Sequence, residues 1–318
     1  QEKRWDLSVL SKVKKFINNC GCDLVHCHGA RANYISLFIR GGVKVPMITT
    51  LHSDYKLDFK DNPRKQLIYT PINAFALRRY KHILAVTKAF KYMLMLRGFK
   101  EERIDVIYNG IDFSQELQTY DMYTFFKNIN VPHDLNKKYV GIAARLFAVK
   151  GVNVFLDMAK IIADKREDID FIILGNGEMW QQCQGFIKEN KLENRVYMAG
   201  QVTDPGMMNS YYKYIDVNTL TSYSESFPYA LLEGARCKCA TVATAVGGIP
   251  EMIIDGESGC LVQSGDSKAL AECVEMLCDK DDIRIRYGVN FYERAKENFS
   301  SQAMANTHKK IYEKIIRI

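Results

Sequence analysis

Short apolar runs alternate along this chain with amphipathic stretches of about 10–15 residues, the pattern of βα units on parallel sheets. Val9, Val13, Phe16 and Ile17 recur at helical spacing and predict a first helix. Strand-like runs follow at 23–27, 47–51, 82–86 and 105–107. After the turn-forming NGID at 109–112 the pattern restarts, with strands expected at 139–144, 170–174, 196–199, 217–220, 241–243 and 260–262. The segment from Phe299 to Tyr312 reads as a final helix. Two doubly wound, Rossmann-like α/β lobes are therefore expected, meeting near 112–136. Ligands of such sheets bind beyond the carboxyl ends of the strands, which directs attention to a cleft between the lobes.

Charge sharpens the picture once it is divided. Residues 1–112 hold 20 Lys and Arg against 10 Asp and Glu, and the remainder holds 24 against 27. A basic first half suits an anionic partner, for which a membrane surface, an anionic glycan and nucleic acid are the candidates; solvated lysines on helix faces are the plainer account. No RNP-type, zinc-finger or helix-turn-helix pattern supports nucleic acid. The cations around the amphipathic stretch 89–96, among them Lys88, Lys91 and Arg97 beside Phe90, Met93 and Leu94, fit docking on an anionic membrane. The competing account buries those apolar residues against the sheet. No run approaches a membrane span and no signal peptide opens the chain. Nine cysteines without framework spacing favour a reduced, cytoplasmic protein.

The most informative stretch is ESFPYALLE, which sets Glu225 and Glu233 eight residues apart. With a helix starting just after Glu225, that acid lies at its N-terminus and Glu233 about two turns in. The free N–H groups of a helix start attract an anion, and two flanking carboxylates can grip hydroxyls. A diphosphate with a sugar on one side and a ribose on the other has that chemistry. On spacing alone, an ordinary surface helix with one acid at its cap explains the pair as well. Arg145 and Lys150, in ARLFAVKG before another helix, can neutralise a diphosphate; two solvated cations at a helix start are the alternative. Gly175 and Gly177 form a G-x-G, which is weak evidence by itself.

Several separated motifs carry a resemblance over nearly the whole chain: TLTSYSESFPYALLEGA at 219–235, ATVATAVGGIPE at 240–251 and DGESGCLV at 255–262. With these the chain resembles the retaining glycosyltransferases of family 4, of the GT-B fold. The resemblance implies lobes facing across a cleft: an acceptor-side lobe over 1–112, a linker over 113–136, a nucleotide-sugar lobe over 137–298, and a helix over 299–318 returning to the first lobe. The first strand and glycine-rich loop of the family pattern have no counterpart here. The first lobe is therefore expected to be N-terminally incomplete, either in a fragment or in a divergent protein.

The same resemblance implies roles. Arg145 and Lys150 bind the pyrophosphate and stabilise the leaving nucleoside diphosphate. Glu233 holds the ribose hydroxyls. Glu225 lies near the donor sugar, with backbone N–H groups of Ser226, Phe227 and Tyr229 facing sugar and phosphate; Pro228, where the family commonly has glycine, cannot donate. Gly175 and Gly177 lie in a glycine-rich turn under the donor, and Gln201 and Val202 follow a strand whose end reads the nucleobase. His52 contacts the donor sugar and the reaction centre. Taken alone, a histidine is most often structural, and only its place at the carboxyl end of a strand favours the other reading. His26 and His28 share a strand face, and Cys27 points away from both, which argues against a Cys–His metal cluster. The DID at 168–170 reads as a turn before a buried strand.

These readings combine into a metal- and cofactor-independent retaining transferase. It moves a hexose or N-acetylhexosamine from a nucleotide-sugar, with UDP favoured, to a glycan or lipid-linked acceptor in capsule or envelope synthesis, on the inner face of the plasma membrane. An epimerase, a phosphorylase and a non-catalytic binding module are the alternatives.

Overall fold

Each strand predicted from the apolar runs is present, with ends displaced by at most two residues. The computed structural model describes residues 8–57 and 62–317. It divides into two units, one of Gln1–Asn109 with Met304–Ile318 and one of Gly110–Ala303.

In the first unit β1 (Val25–His28), β2 (Met47–Leu51), β3 (His82–Ala85) and β4 (Ile104–Val106) form a parallel sheet in chain order. Strand alternation splits its side chains between two faces. Met47, Leu51, Ile83, Ala85 and Ile104 pack with α1 (Ser8–Asn19), α2 (Gly29–Ile39), α3 (Pro63–Arg79) and α4 (Lys88–Leu96) through Ile17, Ile39, Leu77 and Leu94. Ile48, Leu84 and Ile107 face the other way. Asn62 caps α3 by accepting from the Lys65 N–H, and Thr87 caps α4 by accepting from Phe90 N–H.

Two expectations change here. Phe16 shares its helix's spacing but is 70% exposed, and among its set only Ile17 is buried. On α4, Leu94 is fully buried, while Phe90 and Met93 pack against the core, so the apolar side expected to face a membrane faces the sheet. Its cations are engaged as well: Lys91 pairs with Glu101 at 2.9 Å, and Arg97 makes a bidentate bond to Asp54 at 2.6 and 2.7 Å.

The second unit holds α5 (Met122–Asn128), β5 (Lys138–Ala143), α6 (Val152–Ala163), β6 (Ile169–Leu174), α7 (Trp180–Glu189), β7 (Val196–Gly200), α8 (Pro205–Tyr214), β8 (Val217–Leu220), α9 (Tyr229–Arg236), β9 (Ala240–Thr244), α10 (Ile249–Met252), β10 (Cys260–Val262), α11 (Ser267–Asp279) and α12 (Asp281–Asn298). The spatial order is β10-β9-β8-β5-β6-β7, all parallel. The chain runs outward from β5 to β7, then returns to the other side of β5 with β8. The reversal falls between β5 and β8, as in a doubly wound sheet.

Residues 113–136, expected as a linker, are partly core. Phe125 and Phe126 on α5 are buried against Tyr139 and Tyr211. Within this unit, Ile111 pairs with the segment before α13 (Ser301–Ile316): Ile111 N–H donates to the Phe299 carbonyl at 3.2 Å, and Ser301 N–H to the Ile111 carbonyl at 2.8 Å. Most of α13 belongs to the first unit, where Ile311 and Ile315 cover Ile48, Leu84 and Ile107. No helix among the described residues is long and apolar enough to cross a membrane.

Candidate functional site

The loops after β5 and β8 meet at the reversal point and are tied together. Gly151 adopts φ 62°, and a Cβ there would lie 2.1 Å from the Thr221 carbonyl oxygen, so only glycine allows the approach. The Thr221 hydroxyl contacts the carbonyl oxygens of Lys150 and Gly151 at 3.1 and 2.9 Å, and Tyr223 N–H donates to Val149 at 2.8 Å. This seam brings Lys150 to Glu225: Nζ to Oε1 is 2.5 Å, and the Ser222 hydroxyl donates to the same oxygen at 2.7 Å. The Glu225 side chain is only 8% exposed. Gly247, at φ 55°, closes the site from behind, since a Cβ there would lie 1.7 Å from the Glu225 carbonyl oxygen.

Arg145 is exposed, its guanidinium 5.3 Å from the Phe147 ring centroid. Gly175 and Gly177 lie behind this loop, where their Cβ atoms would meet the carbonyl oxygens of Ala144 and Leu146 at 1.8 and 2.5 Å. Their absent side chains let the loops after β5 and β6 pack closely.

Helix α9 begins at Tyr229, later than the sequence spacing suggested. Pro228, at φ −74° and ψ 120°, stands as its extended N-cap. Glu225 therefore lies four residues before the helix, and Glu233 is its fifth residue, just over one turn in. Phe227 is buried, edge-on to Phe299 at 5.2 Å between centroids, so its side chain is structural and only its backbone could meet a ligand. Ser226 is half-buried, its carbonyl accepting from Gly248 N–H at 3.0 Å, and Tyr229 is exposed. Burial raises the Glu233 pKa, an effect that nearby Arg236 and the Tyr212 hydroxyl, 3.5 Å from Oε2, only partly oppose. A desolvated carboxylate with one long hydrogen bond has acceptor capacity to spare. Gln201 is exposed and Val202 half-buried just after β7.

More than half of the chain, residues 125–298, matches the model for the group 1 glycosyl transferases, and residues 1–115 match that for glycosyltransferase family 4. The chain belongs to the group 1 glycosyl transferases. Its relatives include an uncharacterised glycosyltransferase of Methanocaldococcus jannaschii, 26% identical over 95% of this chain and 78% of its own length. The N-acetyl-alpha-D-glucosaminyl L-malate synthase of Bacillus anthracis is 24% identical over 98% of this chain and 80% of its own. Among solved structures, Anabaena HepE in complex with UDP superposes with a TM-score of 0.80 at 21% identity, covering 98% of this chain and 82% of HepE. HepE has also been solved with UDP-glucose. The two parallel-sheet units of this glycosyltransferase are those of the GT-B fold.

In the first unit of this glycosyltransferase, His52 follows β2 and meets His28: Nε2 to Nδ1 is 2.9 Å, with the rings stacked at 5.2 Å. His26 lies 4.2 Å from His28 between ring centroids, as strand alternation requires, while Cys27 turns into the core. The His26 ring is held on both sides, by Tyr312 OH at 2.5 Å and Thr50 Oγ1 at 2.6 Å. Burial, reinforced by neighbouring His28, His308 and His52, pulls the His26 pKa down to about 3. The pKa values of His28 and His52 are lowered too, first by burial. No three ligating side chains among the described residues converge on a metal position. Asp168 and Asp170 flank the start of β6 and are bound to Arg166 and to Arg195 with Lys137, respectively.

Sequence reasoning missed Ser222, Thr221, Gly247 and Tyr212 as builders of this site. Thr221, Gly247 and Tyr212 act across segments far apart in the chain, whereas Ser222 reaches Glu225 within one loop; only the VGG at 246–248 left a local trace.

Proposed function

We propose that the second unit binds a nucleotide-sugar at the reversal point and that the enzyme transfers the sugar with retention. The observation that carries this reading is the pairing of Lys150 with buried Glu225, with exposed Arg145 on the same loop after β5 and desolvated Glu233 on α9, the helix that follows the β8 loop. Arg145 and Lys150 take the diphosphate, Lys150 exchanging its carboxylate partner for phosphate oxygens. Glu225, so released, accepts hydrogen bonds from the sugar hydroxyls, and Glu233 accepts them from the ribose. Ser226, Phe227 and Tyr229 offer backbone N–H groups, the turn at Gly175 and Gly177 underlies the donor, and Gln201 and Val202 border the base.

On this reading the donor's own phosphate oxygen takes the acceptor proton, with attack and departure on one face. The two cations offset the charge gained by the leaving diphosphate, so no metal is required. HepE's complexes with UDP and UDP-glucose support a UDP-sugar, and the name of the Bacillus relative supports N-acetylhexosamine. A glycan or lipid-linked acceptor in envelope synthesis on the cytoplasmic side fits the nine free cysteines and the basic first unit.

Calorimetry with UDP, GDP and ADP, followed by product analysis with labelled UDP-sugars, tests the reading. Tightest binding of UDP and α-linked product formed in excess EDTA are expected. Loss of turnover in EDTA, restored by manganese, would remove the metal-independent mechanism; isomerised donor without transfer would make the protein an epimerase.

A further inference from the structure

Helices α2 and α3 of the first unit leave a groove of about 560 Å³ between them, walled by apolar side chains that include Tyr34, Phe38, Ile72 and Phe75. Its charged members are Arg40 and Arg79. Buried polar contacts tie the two helices to each other and to β2. Asn33 donates to the Asn73 side chain at 3.0 Å and accepts from the Thr49 hydroxyl at 2.7 Å, and Tyr80 OH donates to Ser36 at 2.6 Å. Sliding the helices together to close the apolar gap would break these buried bonds.

The rim is apolar and cationic at once. Phe38 and Phe75 are 59% and 52% exposed, and Leu67 and Ile68 on the same α3 are 78% and 52% exposed. Neither helix contains an acidic residue, whereas Arg31 lies on α2 and Arg64, Lys65, Arg78 and Arg79 on α3. Among the described residues, neither Arg40 nor Arg79 is paired with a carboxylate. Arg40 donates to the Arg79 carbonyl and lies over the Tyr80 ring, and Arg79 lies 4.8 Å above Phe75. Both guanidiniums are thus steered by the protein while keeping donors free.

A second copy of this chain would bring like charges together across such a face, which disfavours self-association. An anionic bilayer meets both needs in depth order, with phosphates at the level of the cations and acyl chains beneath them. We propose that the α2–α3 face docks on an anionic lipid bilayer, lipid phosphates meeting Arg40 and Arg79 while acyl chains enter the groove. The site differs from the α4 stretch that composition favoured, whose apolar side is buried. It deepens the reading of a lipid-linked acceptor and, where the acceptor is concerned, rests on it; the binding test below needs no turnover.

Co-sedimentation with phosphatidylcholine vesicles, with and without a third of the lipid replaced by phosphatidylglycerol, tests the proposal on the whole chain. Wild type should bind only the anionic vesicles and should be released by high salt. The double variant Arg40→Glu/Arg79→Glu should lower partitioning by more than about tenfold. Phe38→Ser/Phe75→Ser, which leaves every cation in place, should lower it by about tenfold as well. Lys88→Glu on α4 should change it far less than the arginine pair. Unaltered melting and UDP binding in the variants would establish that they fold and would separate the lipid face from the donor site. Absence of binding at low salt, binding unchanged in the arginine pair, or binding unchanged in the phenylalanine pair would overturn the proposal. The last outcome would leave diffuse charge attraction without a groove.

Discussion

Lys150 holds a charge that Glu225 already neutralises, and this separates it from Arg145. Removing Arg145, which is exposed, should weaken UDP binding by about 1.5–3 kcal/mol and leave the melting temperature unchanged. Lys150→Ala should weaken UDP similarly but also destabilise the protein, because it strands a carboxylate that is 8% exposed. Lys150→Ala/Glu225→Gln should restore stability without restoring UDP affinity, as calorimetry and thermal melts would reveal. Glu225→Gln alone should raise UDP affinity a few-fold by freeing Lys150 while turnover falls. Unchanged UDP affinity in every variant would remove Lys150 from the phosphate site. Glu233 behaves differently. Its folded pKa is raised, so its ionised form costs stability above that pKa, and the cost disappears as pH falls below the unfolded value. At neutral pH Glu233→Gln should therefore melt on the order of 1–3 °C higher while binding UDP and UDP-sugar more weakly by similar factors. A lower melting point would mean that the carboxylate is structural.

At the level of elements, the strands were legible because apolar runs between turn residues leave few alternative readings. The start of α9 was not, because Pro228 can stand as an N-cap or one residue inside a helix, and only the backbone distinguishes them. Nor could sequence reveal which side of α4 is buried, since Arg97 finds Asp54 across 43 residues. The site itself was half legible: its charged residues stood out, but the seam that brings Lys150 to Glu225 depends on backbone contacts without a compositional mark. Gly151 tests that seam. Gly151→Ala forces a side chain into φ 62° and toward the Thr221 carbonyl, and should cost about 2–4 kcal/mol in denaturant unfolding. Gly185→Ala on α7, where an added Cβ meets nothing within 4 Å, should instead stabilise by about 0.5–1 kcal/mol. Equal effects at the two positions would mean that the loops after β5 and β8 are not tightly joined.

Across the whole molecule, pH should act mainly on the first unit, where His26, His28, His52 and His308 gather with lowered pKa values. An imidazole that titrates near 6.5 when unfolded but about 3 when folded takes up its proton only on unfolding in that interval. Its contribution is present above pH 6.5 and is lost as pH falls toward 3. For His26 the limiting slope is about 1.4 kcal/mol per pH unit, to be reduced because water still reaches part of the ring. Melting temperature measured from pH 7.5 to 5 should fall, and His26→Gln should flatten the curve. A curve unchanged by that substitution would place the acid sensitivity elsewhere.

The division of α13 bears on how the protein is made. The second unit is one continuous stretch, Gly110–Ala303, whereas the first needs Ile311 and Ile315 to cover Ile48, Leu84 and Ile107. On the ribosome, the segment synthesised first is therefore the one that cannot finish folding first. Its sheet keeps a bare apolar face until some two hundred further residues have emerged, at roughly 5–20 residues per second. During that interval of tens of seconds a chaperone has the opportunity to shield what α13 will later seal.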